Sequence, residues 1–231
     1  EANISDVAVT LMDAHDASIA LQWMHTLNAF GLPDTIPIDP IPTYDVIVHT
    51  VPQLRRNGVR FQPRMHSHVR FENAGQGVLR AEFARGLRNG YDQLPITVFV
   101  AGSSVPLIVL PVNDEVHLLE GYYDVYFPTH PPVLISDVSI QEGAVSPVSI
   151  PQPGVLQLNG FLMGYAAVLD ANQEVVYQWK SGKSTPIGQH ILQPGDYTFV
   201  YRARSAQSIE FSFVKSFNIR SGNTTHLSIN G

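Results

Sequence analysis

The sequence predicts an all-β chain built from tandem small antiparallel β-sandwiches, on three observations. Charged residues make up only 15% of the 231, while Gly and Pro number 17 each. That balance suits short strands and frequent turns better than long solvated helices. Apolar residues alternate with period two in one segment after another, which places them on one face of a strand. A tyrosine-led segment also recurs: "TYDVIVHTVP" (43–52), "YYDVYFPTHPP" (122–132) and "DYTFVYRARS" (196–205) begin their alternation at Tyr44, Tyr123 and Tyr197. These markers are 79 and 74 residues apart.

Each marker follows a turn signal, "DPIPT", "LLEGY" or "LQPGD", in which Pro presets φ or Gly accepts a positive φ. The strand after it carries Tyr44, Val46 and Val48, then Tyr123, Val125 and Phe127, then Tyr197, Phe199 and Tyr201 on one face. After a loop, a second alternating strand holds Val59 and Phe61, Val138 and Ile140, or Phe217 and Ile219. A short polar turn leads to a last strand near Val69, Val148 or Leu227. The early part repeats as well: "GQGVLRAEF" (75–83) parallels "QPGVLQLNG" (152–160), with Gly77 matching Gly154. "LMDAHDASIALQW" (11–23) echoes "VLDANQEVVYQW" (168–179), which puts Trp23 and Trp179 at matching positions. The expected units are 1–74, 75–151 and 152–231, the first lacking its opening strand; one sandwich spanning the whole chain is the alternative.

Residues 16–30 fit two structures. Asp16 sits where a helix N-cap would, Ile19, Trp23, Leu27 and Phe30 have helical spacing, and Gly31-Leu32-Pro33 would stop a helix. The repeat argues instead for a strand through Leu21–Trp23, so a short helix here would be an insertion peculiar to the first unit.

The net charge of -6 and the absence of any Lys/Arg run longer than two leave no electrostatic footprint for nucleic acid or an anionic membrane. No apolar stretch approaches the ~20 residues of a membrane-spanning helix, and the first residues lack the form of a signal peptide. A soluble chain is expected. With no cysteine, disulfides, thiol catalysis and thiolate metal sites are excluded, without fixing a compartment.

Candidates for chemistry are few. His66 and His68 could offer two imidazoles from one strand face, but two ligands are not a metal site. "DANQE" (170–174) lacks the Gly and distal Glu of a calcium loop and reads as a hairpin turn whose Asp bonds its own backbone; "MDAHD" (12–16) is expected to make the same turn. Ser103 and Ser104, in "VAGSSVP", stand in a turn between strands and outside any Gly-x-Ser-x-Gly pattern. Asp114 and Glu115 are adjacent, so on a strand they face opposite sides. No cofactor is expected. The remaining candidates are aromatic: Tyr122, Tyr126, Trp23, Trp179 and Tyr91, as platforms for a glycan or as contacts between units. Tyr122 and Tyr126 alternate out of phase with Tyr123 and Val125, so the second face of that strand carries bulky rings that another surface could cover.

The run "LQPGDYTFVYRARSAQSIEFSFVKSFNIRSGNTTHLSI" (192–229) resembles the prealbumin-like, immunoglobulin-like β-sandwich modules of carboxypeptidase regulatory-like and collagen-adhesin B-type repeats. "TYDVIVHTVPQLRRNGVRFQPRMHSHV" (43–69) is similar to modules that follow von Willebrand type A domains in secreted bacterial proteins, although the type A metal-adhesion motif Asp-x-Ser-x-Ser is absent. The resemblance implies spacers, stalks or binding surfaces rather than catalysts, in the periplasm, at the cell surface or secreted. The expected function is therefore a non-catalytic extracytoplasmic repeat protein, a stalk or a surface for a protein or matrix partner. A carbohydrate-binding array and a hydrolase assembling Ser, His and Asp from distant positions are the alternatives.

Overall fold

The computed structural model describes residues 6–27, 29–84, 91, 93–207 and 212–229. Within them the chain is all-β, without a helix, and forms several antiparallel sheets around three separate hydrophobic clusters.

The first unit is one sheet of β1 (Val7–Asp13), β2 (Ala20–His25), β3 (Thr43–Val48) and β4 (Leu54–Arg60), in the order β2-β1-β3-β4. Alternation puts Val7, Val9, Leu11, Tyr44, Val46 and Val48 on its buried face. That face is covered by Ile36, Ile38, Phe61, Val69 and Phe71 from irregular segments rather than by a second sheet of strands. The last strand expected near Val69 is thus not formed, although Val69 and Phe71 still turn inward.

The helix alternative over 16–30 is overturned. Residues 20–25 form β2, in register with β1 from Val7↔His25 to Met12↔Ala20. Asp16 is not an N-cap: its carboxylate accepts from the Ser18 N–H at 3.0 Å and the Ser18 hydroxyl at 2.6 Å, closing a turn. A helix would satisfy only its own backbone and leave the β1 ladder open on that side. The strand pairs that ladder and lays Trp23 against the core. The helical spacing marks no buried stripe, since Ile19 and Phe30 at its ends are surface residues.

The second unit contains β5 (Gln76–Phe83), β6 (Pro95–Val100), β7 (Pro106–Pro111), β8 (Glu115–Leu119), β9 (Gly121–Phe127), β10 (Val133–Ile140) and β11 (Val145–Ile150). They make two sheets, β10-β9-β6-β7 and β11-β5-β8, with β11 parallel to β5. Leu79, Phe83, Leu118 and Ile150 of the smaller sheet share one core with Ile96, Val98, Val125 and Phe127 of the larger, as in a β-sandwich.

The third unit repeats this topology with fewer breaks. It holds β12 (Gly154–Leu169), β13 (Val175–Leu192), β14 (Gly195–Ala203), β15 (Ser212–Ile219) and β16 (Thr224–Ser228). The first half of β12 pairs in parallel with β16 and antiparallel with the end of β13; its second half pairs with β14 and the start of β13. One long strand therefore does the work of β5 plus β6, and β13 that of β7 plus β8. Its core includes Leu156, Leu158, Val168, Leu192 and Phe199, and full burial of such a side chain is worth about 1.5–3 kcal/mol.

Gly77 and Gly154 occupy the same place in the two sandwiches. A Cβ on Gly77 would strike the Gln141 carbonyl and lie 2.9 Å from Ile140. On Gly154 it would meet the Arg220 carbonyl at 2.5 Å and Ile219 at 2.7 Å. In each unit the turn before the last strand sits directly on the opening strand, and only glycine leaves room for it.

Candidate functional site

The three marker tyrosines open β3, β9 and β14 and are buried, Tyr44 at 8%, Tyr123 at 3% and Tyr197 at 4% exposure. A buried phenol needs an acceptor, and each finds a carbonyl four or five residues back. Tyr123 donates to Leu119 O at 2.8 Å, Tyr197 to Gln193 O at 2.7 Å, and Tyr44 to Asp39 O at 2.9 Å. This is the tyrosine-corner arrangement of Greek-key sandwiches, and it explains why the repeat is led by tyrosine.

The same corners hold consecutive units together. The Leu119 N–H donates to the Val51 carbonyl at 2.8 Å, and the Gln193 N–H to the His130 carbonyl at 2.7 Å. Val51 and His130 are the middle residues of two matching Thr-x-Pro loops, Thr50-Val51-Pro52 and Thr129-His130-Pro131, 79 residues apart. In each, the buried threonine hydroxyl bonds the proline carbonyl, at 2.7 Å from Thr50 and 2.6 Å from Thr129, and the X–Pro peptide is cis. A Thr-x-Pro loop leaving one unit thus docks on the tyrosine corner of the next, twice in the same way. The signal was present in the sequence, since Thr-x-Pro follows the first two markers at equal distance. The third has Ala203-Arg204-Ser205 there.

The second junction is also aromatic. Tyr91 stacks on Phe83 at 6.0 Å, the His130 ring lies 4.6 Å from Tyr177, and Tyr177 stacks on Trp179 at 5.8 Å. His190 packs against Tyr177 at 5.1 Å and against Trp179 at 4.8 Å. Burial pushes the Tyr91 phenol up to about 12 and raises Tyr177 and Tyr197 further, chiefly by desolvation. Nearby, the buried Gln193 Nε2 has no hydrogen-bond partner among the described residues.

The five aromatics singled out by the sequence fall in three places. Trp23 and Trp179 are half-buried against the cores of the first and third units, paired with Val9 and Ala166. Tyr91 belongs to the second junction. Tyr122 and Tyr126 lie on the outer face of β9, Tyr122 at 61% exposure. Tyr126 is half-buried in a cross-strand row Val109–Thr97–Tyr126–Leu134. Beside Tyr122 is a shallow open depression of about 420 Å³, lined by Asn73, Glu120, Ser139 and Gln141 among others.

The other candidates are local. Asp170 accepts from the Asn172 and Glu174 N–H groups, both at 2.9 Å, and Asp13 from the His15 N–H at 2.8 Å, the turns expected for both segments. Ser103 closes the β6–β7 turn, its hydroxyl accepting from the Val105 N–H at 3.1 Å. The His66 and His68 rings meet at 4.7 Å, and among the described residues no three or more His, Asp or Glu gather as a metal site. No helix of the described residues is long and apolar enough to cross a membrane.

No family model matches the chain, and no curated protein matches it. Among solved structures it is similar to the Bacillus anthracis TIE protein, at 12% identity and a TM-score of 0.28, over 98% of this chain and 48% of that one. It is also similar to the pilus adhesin SpaC of Lactobacillus rhamnosus GG in its open conformation, at 8% identity and a TM-score of 0.19, over 99% of this chain and 41% of that one. The chain spans less than half the length of these structures, and likeness at this level carries no functional argument.

Proposed function

We propose that the chain is a non-catalytic array of β-sandwich modules, 1–74, 75–151 and 152–231, working outside the cytoplasm as a stalk or as a surface for protein or matrix partners. The observation that carries this reading is the junction built twice. Linked domains ordinarily move relative to each other unless something fixes them, whereas here the same Thr-x-Pro loop is tied to the next tyrosine corner at both joints. A device repeated at a joint serves relative orientation, which is what a spacer or an extended contact surface requires. The seven strands in two sheets of the second unit support its kinship with prealbumin-like, carboxypeptidase regulatory-like modules.

The cysteine-free chain allows a direct test. Spin labels on Val105→Cys and Val175→Cys, exposed positions of the second and third units, should give one narrow distance distribution across the second junction. A broad distribution would sink the spacer reading.

A further inference from the structure

On the outer face of the third unit, three cross-strand neighbours place an aromatic ring between two cations. Tyr165 of β12 pairs with Lys180 of β13 on one side and with Arg202 of β14 on the other, so all three side chains leave the sheet on the same face. Tyr165 is 53% exposed, and Lys180 Nζ lies 5.5 Å from its ring centroid. Among the described residues, no carboxylate pairs with Lys180 or Arg202.

The backbone is shaped to bring these groups together. Gly164 has φ +152, and a Cβ there would strike the Arg202 carbonyl and lie 2.8 Å from the Arg204 N. Glycine lets β14 press against β12, where the Arg204 N–H donates to Met163 O at 2.8 Å. Arg204 thereby lines a cup of about 240 Å³ with Gly164, Tyr165, Lys180 and Ser181, next to the Tyr165–Arg202 pair. The cup is basic on an acidic chain. Residues 152–231 carry six Lys or Arg against four Asp or Glu, whereas residues 1–151 carry eight against sixteen, and all three lysines are in the later segment.

We propose that this face of the sheet binds a carboxylated sugar unit of an acidic polysaccharide, the carboxylate between Lys180 and Arg202 and the sugar ring against Tyr165. Charge complementarity selects an anion. The exposed tyrosine selects a sugar over an acidic peptide, because an aspartate or glutamate side chain needs only the cations, while a sugar also offers a C–H face to the ring. The inference rests on the contact-surface reading above and names the chemistry of its ligand.

The test uses the full chain and three probes: oligogalacturonate as the acidic sugar, a neutral dextran oligosaccharide, and poly-glutamate as the acidic peptide. Titration calorimetry should show oligogalacturonate binding that weakens with added salt, with no dextran binding. Lys180→Ala and Arg202→Ala should each weaken it about tenfold, Tyr165→Ala should also weaken it, and Tyr122→Ala should not. Unchanged melting of these surface variants checks that they fold. Absence of oligogalacturonate binding overturns the proposal, as does binding that survives both cation variants. Poly-glutamate binding equally tightly and indifferent to Tyr165→Ala would make this face an acidic-peptide surface and overturn the proposal too. Failure here with a narrow label distance leaves the array standing, whereas a broad distance with intact sugar binding removes only the array.

Discussion

The Tyr197 hydroxyl donates to the Gln193 carbonyl at 2.7 Å, while the N–H of the same Gln193 donates to the His130 carbonyl of the preceding unit at 2.7 Å. One residue therefore ties the corner that starts β14 to the joint that holds the second unit. Leu119 does the same between Tyr123 and Val51.

Removing the hydroxyl should loosen both ends of this chain of bonds. Tyr197→Phe leaves the buried Gln193 carbonyl short of a partner and is expected to cost about 1–3 kcal/mol. Hydrogen exchange should show the Gln193 amide opening faster in this variant. Thr129→Val, which removes the 2.6 Å bond to Pro131 O, should speed exchange at the same amide while leaving Leu119 at the first joint unchanged. Equal effects of Thr129→Val on both joints would show that the two are not independent devices.

Two glycine substitutions separate crowding from backbone conformation. In Gly154→Ala the new Cβ meets the Arg220 carbonyl at 2.5 Å and the Asn223 carbonyl at 2.9 Å. Both are backbone atoms that cannot swing aside, so a loss of about 3 kcal/mol is expected. Gly102→Ala meets nothing within 4 Å and only holds alanine at φ +75, which should cost about 1–2 kcal/mol. Urea unfolding followed by hydrogen exchange in each unit distinguishes them; a cost for Gly154→Ala no larger than for Gly102→Ala would contradict the close approach.

Alkaline pH should attack the second junction. Burial raises the Tyr91, Tyr177 and Tyr197 phenols above their ordinary 10.0, Tyr91 to about 12. The native state holds them neutral, so above pH 10 the unfolded chain binds fewer protons than the folded one. Their contribution is complete below pH 10 and declines as pH rises from there through the folded values, by up to about 1.4 kcal/mol per pH unit for each phenol. Denaturation midpoints across this range, with phenolate absorbance recorded in parallel, should show stability flat up to pH 10 and falling beyond it. Phenolate formation by all nine tyrosines near pH 10, with no loss of structure, would refute the burial.

Much of the fold was legible because strand periodicity and turn chemistry are local. The alternation after Tyr44, Tyr123 and Tyr197 marked β3, β9 and β14, and the Gly77/Gly154 match marked the opening strands of two sandwiches. Residues 16–30 were ambiguous because Ile19, Trp23 and Leu27 satisfy a helical period while Leu21 and Trp23 satisfy a strand period. Only the open ladder of β1 decides between them. The strand expected near Val69 failed for a related reason: in the other units that strand pairs in parallel with the opening strand that carries Gly77 or Gly154. The matching stretch of the first unit is absent from its described strands.

The sequence by itself determined that the chain is all-β, because burial on one face of a strand and tight turns at Gly and Pro leave their pattern in consecutive residues. It also contained both Thr-x-Pro loops and the Tyr165, Lys180 and Arg202 side chains. Tertiary structure alone decided their roles, since Val51 meets Leu119, His130 meets Gln193, and Lys180 and Arg202 flank Tyr165 only after distant strands pair. A hydrogen bond or a cross-strand neighbour depends on distance in space, and separation along the chain does not encode it.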